Sequence, residues 1–305
     1  MKLSYSLKLS QACKVLGVSR QAYYQPIVKP KPDLSIISQI TVQANEIRKL
    51  SPVRGCRAMY DRFGNTLPIG RDKSIDLLMD LGYRVRYPKR YGQATQSGTR
   101  EFANLLVNKR LHGINEVWQA DMAHYLYGER KYYTIYITDV YSQEVVGYGA
   151  YDTNLAVNYA QVMQQAIRKR GGLTNGLDQL IHHSDGGKQY ESSVYKALCI
   201  RSGIIQSMCM YSYENPYAEK TNDLINNGYL NVWRPRSLTN LRTCQRKAVQ
   251  DHNQNSQKKV LGKLSPNQFR LLLINKQLCT SNYELILKPI NPTQPRKKVT
   301  LVNIN

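Results

Sequence analysis

Three consecutive segments, 116–127, 131–141 and 144–152, are largely apolar and favour aromatic and β-branched residues, which predicts three strands. The joins GER and SQE leave room only for tight turns, so the strands should form an antiparallel meander. The pattern then changes. Ala156, Val157, Tyr159, Ala160, Met163 and Ile167 recur at three- and four-residue spacing, the pattern of a helix over 154–170 with one buried face. Arg168, Lys169 and Arg170 suit its C-terminal end, and Gly171-Gly172 stop it. Next come a short strand ending near Ile181, a helix over 192–202, a strand in IIQSMC, and a helix opening at Asn215-Pro216. The order β-β-β-α-β-α-β-α places a mixed α/β domain at 114–232.

The flanks read differently. Residues 8–24 predict two short helices around Gly17, with Ala12, Val15 and Leu16 as an apolar face and Ser19 as a cap. This helix-turn-helix-like segment, 1–28, either presents Arg20 and Gln21 to DNA or serves only as a packing hairpin. KPKPDL at 29–34 is a linker, because alternating prolines block helix and sheet. Residues 36–113 form a basic helical region and connector, with a helix from Ile36 to Lys49 and shorter ones after it. Its polar stretch 91–110 is expected to be poorly ordered. Beyond Trp233, residues 233–305 predict helices around 237–251 and 265–277, then a basic, proline-rich tail.

Charge changes the picture most. The 305 residues carry 43 Lys and Arg against 21 Asp and Glu, a net +22. Residues 1–115 are net +13, 116–233 net −3, and 234–305 net +12. A near-neutral middle between two basic arms suits a polyanion gripped at both ends and processed in the centre. Arg54, Arg57, Arg71 and Lys73 are candidate phosphate contacts in the first arm. No apolar run is long enough to span a bilayer and no secretory leader is evident, so a cytoplasmic, nucleoid-associated protein without a membrane partner is expected. Six scattered cysteines, none in a C-x-x-C pair, read as reduced thiols.

Three acidic residues carry the candidate chemistry. Asp121 lies in the strand-like VWQADMAHYLYG, and Asp185 follows a strand end in QLIHHSDGGKQY. Glu219 sits one turn into the helix of ENPYAEKTNDL. Two strand aspartates and one helix glutamate offer hard oxygen ligands on rigid elements, as a site for two divalent cations requires. Ligands of open α/β sheets also bind beside strand ends.

W-x-x-D at 118–121, HSDGGKQY at 183–190 and NPYAEKTN at 215–222 resemble, in order, the three acidic blocks of a DDE transposase. Similarity extends over most of the chain, and the nearest family is insertion-sequence-3, in its second-reading-frame proteins, related to retroviral integrases. The resemblance implies a ribonuclease-H-like integrase core with a mixed five-stranded sheet. It further implies two Mg²⁺ ions, or Mn²⁺, with Asp121 bridging them and Asp185 and Glu219 each holding one. The implied activity is metal-dependent cleavage at element ends and joining of the freed 3′-hydroxyls to target DNA. The implied partners are DNA, further copies of the chain in a homo-oligomer on DNA, and an upstream-frame helix-turn-helix and leucine-zipper protein. The family's A-E-[KR] pattern selects Glu219 over its neighbour Glu214 as third carboxylate.

His183, Lys188 and Gln189 flank the second block as candidate DNA contacts. Asn226, two helical turns beyond Glu219, stands where the family usually has a cation, and Gly228 replaces a common acidic residue. Asn253 is retained from a family stretch whose arginine-proline-histidine is missing. These departures leave two alternatives open: an inactive remnant that only binds DNA, and a ribonuclease-H-like nuclease that cleaves without joining.

Overall fold

The computed structural model describes residues 8–24, 33–63, 66–85, 100–171, 177, 179–278 and 285–287. Most of the linker, residues 91–99 of the connector, and the proline-rich tail lie outside these. Helix α1 (Leu9–Val15) and helix α2 (Arg20–Tyr24) form the expected pair, and Ser19 Oγ accepts from the Ala22 N–H at 3.1 Å. Their expected apolar face is not buried: Val15 and Leu16 are 81% and 73% exposed, while Cys13 turns inward. Two helices of seven and five residues have too little surface to enclose a core of their own.

A second helical group does make a core. Helix α3 (Leu34–Leu50) starts where Asp33 accepts from the Ser35 N–H at 2.9 Å, and it buries Ile40, Ala44 and Ile47 at helical spacing. Helices α4 (Cys56–Phe63) and α5 (Arg71–Asp80) bring Met59, Phe63, Leu77 and Leu78 against that stripe. Each fully buried side chain contributes about 1.5–3 kcal/mol.

After the two-residue strand β1 (Arg110–Leu111) come the meander strands β2 (Val117–Tyr127), β3 (Arg130–Asp139) and β4 (Val145–Tyr151). Helix α6 (Ala156–Lys169), strand β5 (Ile181–Ser184), helix α7 (Ser193–Arg201) and strand β6 (Ile205–Met208) follow. The sheet order is β4-β3-β2-β5-β6, with the meander antiparallel and β5 and β6 parallel to β2. This is the ribonuclease-H-like arrangement, as expected.

Alternation along the strands sets the two faces. Trp118, Ala120, Ile135 and Ile137 pack beneath α6 and α7, whereas Tyr125, Tyr132 and Tyr136 point the other way. Helix α6 lies so close to the sheet that a Cβ on Gly147 would stand 2.7 Å from the Val162 carbonyl oxygen. Val157, expected in the helix core, is exposed because α6 turns its other face to the sheet.

Helix α8 (Pro216–Ile225) continues through a π-helical turn, Asn226–Leu230, into the short α9 (Asn231–Trp233). Helix α10 (Leu238–Asn255) then covers the sheet's second face and its β4 edge. There Asn253 clasps Val145 twice: its Oδ1 accepts from the Val145 N–H and its Nδ2 donates to the Val145 carbonyl, both at 2.9 Å. The amide thus replaces the neighbouring strand that an edge lacks. Helix α11 (Pro266–Ile274) packs Phe269 against Tyr141, and strand β7 (Leu285–Ile286) pairs with β1.

The connector differs from expectation where it is described. Residues 100–110 lie along β6: the Leu105 N–H donates to Ser207 Oγ at 2.9 Å, and Leu106 is buried. Hydrogen bonding to an otherwise open strand edge orders this polar segment.

Candidate active site

Parallel pairing of Ala120 with Ser184 makes Asp121 and Asp185 the next residues on adjoining chains. Neighbouring strands are about 4.8 Å apart, so the register alone brings two carboxylates together from segments 64 positions apart. Helix α8 is fastened across the same strand end. Asn215 Nδ2 donates to the Ala120 carbonyl at 2.8 Å, and the Tyr217 N–H donates to Gln119 Oε1 at 2.9 Å. Asn222 Nδ2 donates to Asp121 Oδ2 at 2.8 Å, and Glu219, one turn earlier on the helix, is near enough for its charge to act on Asp121. Asn215 holds the N-cap position as expected, but its side chain ties the helix to the sheet and does not cap it.

The electrostatics are those of crowded acids. Asp121 is pushed up to about 8, by burial first and then by the Asp185 charge, with a smaller push from Glu219. Hydrogen bonds from the Met122 N–H and Asn222 oppose this and do not overcome it. Burial also raises Asp185, against a hydrogen bond from the Gly187 N–H. Among the described residues no three His, Cys, Asp or Glu side chains stand at metal-coordinating range of one another. The donor set nonetheless fits divalent cations: hard carboxylate oxygens on three rigid elements, two of them held above the usual acid range.

The other candidates separate into surface and interior. Arg20, Gln21, Arg57, Lys73 and Lys188 are exposed, and so is Arg71, which pairs with Asp72 at 3.0 Å. Gln189 reaches back to the Asn154 carbonyl. Arg54 is engaged inside the protein, donating to Asp251 Oδ2 at 3.2 Å and to Ser51 Oγ at 3.1 Å.

Two expected DNA contacts are corrected. His183 is fully buried, with Nδ1 2.9 Å from Ser207 Oγ, and desolvation lowers it to about 4. His182 is likewise buried against the Tyr195 hydroxyl at 2.8 Å and lowered to about 3. Both are neutral interior rings. Asn226 does share the Glu219 face, but the sheet extends beneath that face. Its Oδ1 accepts from the Tyr136 hydroxyl at 3.0 Å, and it exchanges a further bond with Thr134. A lysine there would place a charge in the core.

Gly228 also has a packing reason, since a Cβ would come within 3.3 Å of Val53 Cγ2. Glu214, the rival carboxylate, turns back to accept from the Met210 and Tyr211 N–H groups at 2.7 and 3.2 Å. Gln119, Asn215 and Asn222 hold the site together; the sequence reading gave Asn215 only as a helix cap and missed the part all three play. A lone Gln in an apolar strand was the signal for the first.

Residues 112–211 match the family model described as the integrase core domain. Fold and family match together define a protein built around an integrase core. A Shigella sonnei protein, "Insertion element IS600 uncharacterized 31 kDa protein", is 26% identical over 85% of this chain and 97% of its own length. A Mycobacterium tuberculosis "Putative transposase for insertion sequence element IS986/IS6110" is 30% identical over 36% of this chain and 41% of its own. The integrase core domain and these insertion-element relatives support a transposase function in DNA transposition and integration. Among solved structures, the HTLV-2 integrase catalytic core domain in complex with magnesium covers 55% of this chain and 99% of its own. That match has a TM-score of 0.42 at 22% identity. No described helix is long and apolar enough to cross a membrane.

Proposed function

We propose that Asp121, Asp185 and Glu219 are the catalytic carboxylates of a polynucleotidyl transferase, holding two Mg²⁺ or Mn²⁺ ions against a DNA phosphodiester. The supporting observation is the lift of Asp121 to about 8 by burial and by its acidic neighbours, a repulsion that divalent cations would relieve. When bound, the ions supply Lewis acidity toward the attacking and leaving oxygens. The chain supplies position. Met122 N–H and Asn222 Nδ2 each take one oxygen of Asp121, so the carboxylate cannot rotate and its remaining lone pairs point to fixed places. Asn215 and Gln119 fix the helix that carries Glu219.

In this reading a water oxygen attacks the phosphorus at an element end and the 3′-oxygen leaves. The freed 3′-hydroxyl then attacks a target phosphodiester and displaces that strand's own 3′-oxygen, and no protein–DNA bond forms at either step. DNA lies on the basic arms, and a homo-oligomer carries the two ends, with an upstream-frame partner contributing end recognition.

The test is strand cleavage and joining with cognate ends and Mg²⁺. Asp121→Asn, Asp185→Asn and Glu219→Gln should each fall to background while DNA binding persists. Wild-type cleavage and joining in all three variants would discard the assignment. A dead Glu214→Gln beside an active Glu219→Gln would move the third ligand.

A further inference from the structure

A cleft of about 400 Å³ lies on the opposite flank of α8, where the helical group α3–α5 meets the core. Ser51 and Arg54 line it from the turn after α3, Lys220, Asp223 and Gly228 from α8 and its π-helical turn, and Ser256 from the end of α10. A narrow crevice that shares Lys220 leads from there to His252 and Lys258. Arg54 and Lys220 therefore face the cleft, and Lys258, in the adjoining crevice, lies near enough to feel both charges. Arg54 is partly neutralised by Asp251, and Asp223 is the carboxylate in the wall. Among the described residues, Lys220 and Lys258 form no ion pair.

The surplus is felt locally. Burial, then Lys220 and Arg54, hold the Lys258 ammonium down to about 7. His252, amid these cations, stays neutral; it bonds to the Gln143 carbonyl through Nε2, and its buried Nδ1 has no partner. Unbalanced positive charge in a cleft is costly unless an anion occupies it.

We propose that this cleft binds a phosphodiester of the DNA backbone, with Lys220 and Lys258 as the cations that take it and Arg54 behind them. The ligand class follows from position. Lys220 is next to Glu219 on α8, and consecutive Cα atoms are about 3.8 Å apart. The cleft therefore borders the helix that carries the third candidate carboxylate, beside the place where a DNA substrate would be bound. The choice of DNA rests on the transposase reading. The test does not require cleavage, so failure here leaves that reading standing, and full activity in the carboxylate variants leaves the binding result intact.

The measurement is affinity for nonspecific duplex as a function of salt, for the full chain. Each lost phosphate contact should reduce the slope of log K against log salt by about 0.9. Lys220→Gln and Lys258→Gln should each reduce it by about that amount, the double variant by about twice as much, and Lys220→Arg should restore it. Lys258→Gln should also melt no lower than wild type, which confirms that the fold survives. Lys131→Gln, an exposed charge on the β2–β3 hairpin, should leave the slope unchanged. An unchanged slope in the folded double variant, or an equal fall in Lys131→Gln, overturns the proposal. Inorganic phosphate at constant ionic strength separates the sources. Thermal stabilisation by phosphate that the double variant loses, with its duplex slope intact, would make this a free-phosphate site and overturn the DNA assignment.

Discussion

One sheet carries two buried acidic groups with opposite electrostatics. At one end, Asp121 is pushed up by burial and by the charges of Asp185 and Glu219, and Asp185 by burial. At the meander's far turn, Asp139 and Glu144 are even more deeply buried but sit among cations. Glu144 pairs with Lys169 at 2.8 Å, Arg170 at 2.9 Å and Arg270 at 3.0 Å, and it is held below the usual range despite burial. Asp139 accepts from the Asn115 and Tyr141 N–H groups and from Ser142 Oγ, and reaches only about 6. The second group is a structural joint that fastens α6 and α11 to the sheet. Among the described residues, neither Asp121 nor Asp185 has a cation beside it. Burial raises an acid wherever it occurs; the partners decide whether the acid serves the fold or a ligand.

The largest expected effect is at the joint. Arg170→Met leaves two buried carboxylates short of a shared partner and should cost about 3–5 kcal/mol in denaturant unfolding. A loss below about 1 kcal/mol would mean that Lys169 and Arg270 suffice, and the contrast would weaken.

Next is the pH dependence at the candidate site. Asp121 has a folded pKa raised above its unfolded value of 3.8, so its contribution to stability is complete below that value. It is lost as pH rises toward about 8. Asp121→Asn should therefore flatten the decline in metal-free stability between about pH 4 and pH 8, while abolishing strand transfer. Parallel wild-type and variant curves would show that the acid is relieved by another group.

Asn253→Ala, which strips both bonds from the β4 edge, should cost about 1–3 kcal/mol by thermal or chemical unfolding. The smallest effect is a surface control. Lys49→Ala breaks the exposed pair with Glu46 and should change stability by less than about 1 kcal/mol.

The sequence alone determined the strand meander, the order of the core elements and the three acidic blocks. Each rests on local periodicity or a contiguous motif, and the hydrogen-bond repeats of strand and helix write those directly into the chain. Tertiary structure decided what depended on distant partners. Asn226 was placed on the correct helical face, yet only the strands beneath that face show it to be a core amide bonded to Tyr136, 90 positions away. Asn253 looked like a relic of a lost motif until its clasp on Val145, 108 positions away, gave it a role. The exposed face of α1 and the Lys220–Lys258 cleft were hidden for the same reason. Burial and electrostatic surplus are properties of what surrounds a side chain, and the chain's periodicity does not contain them.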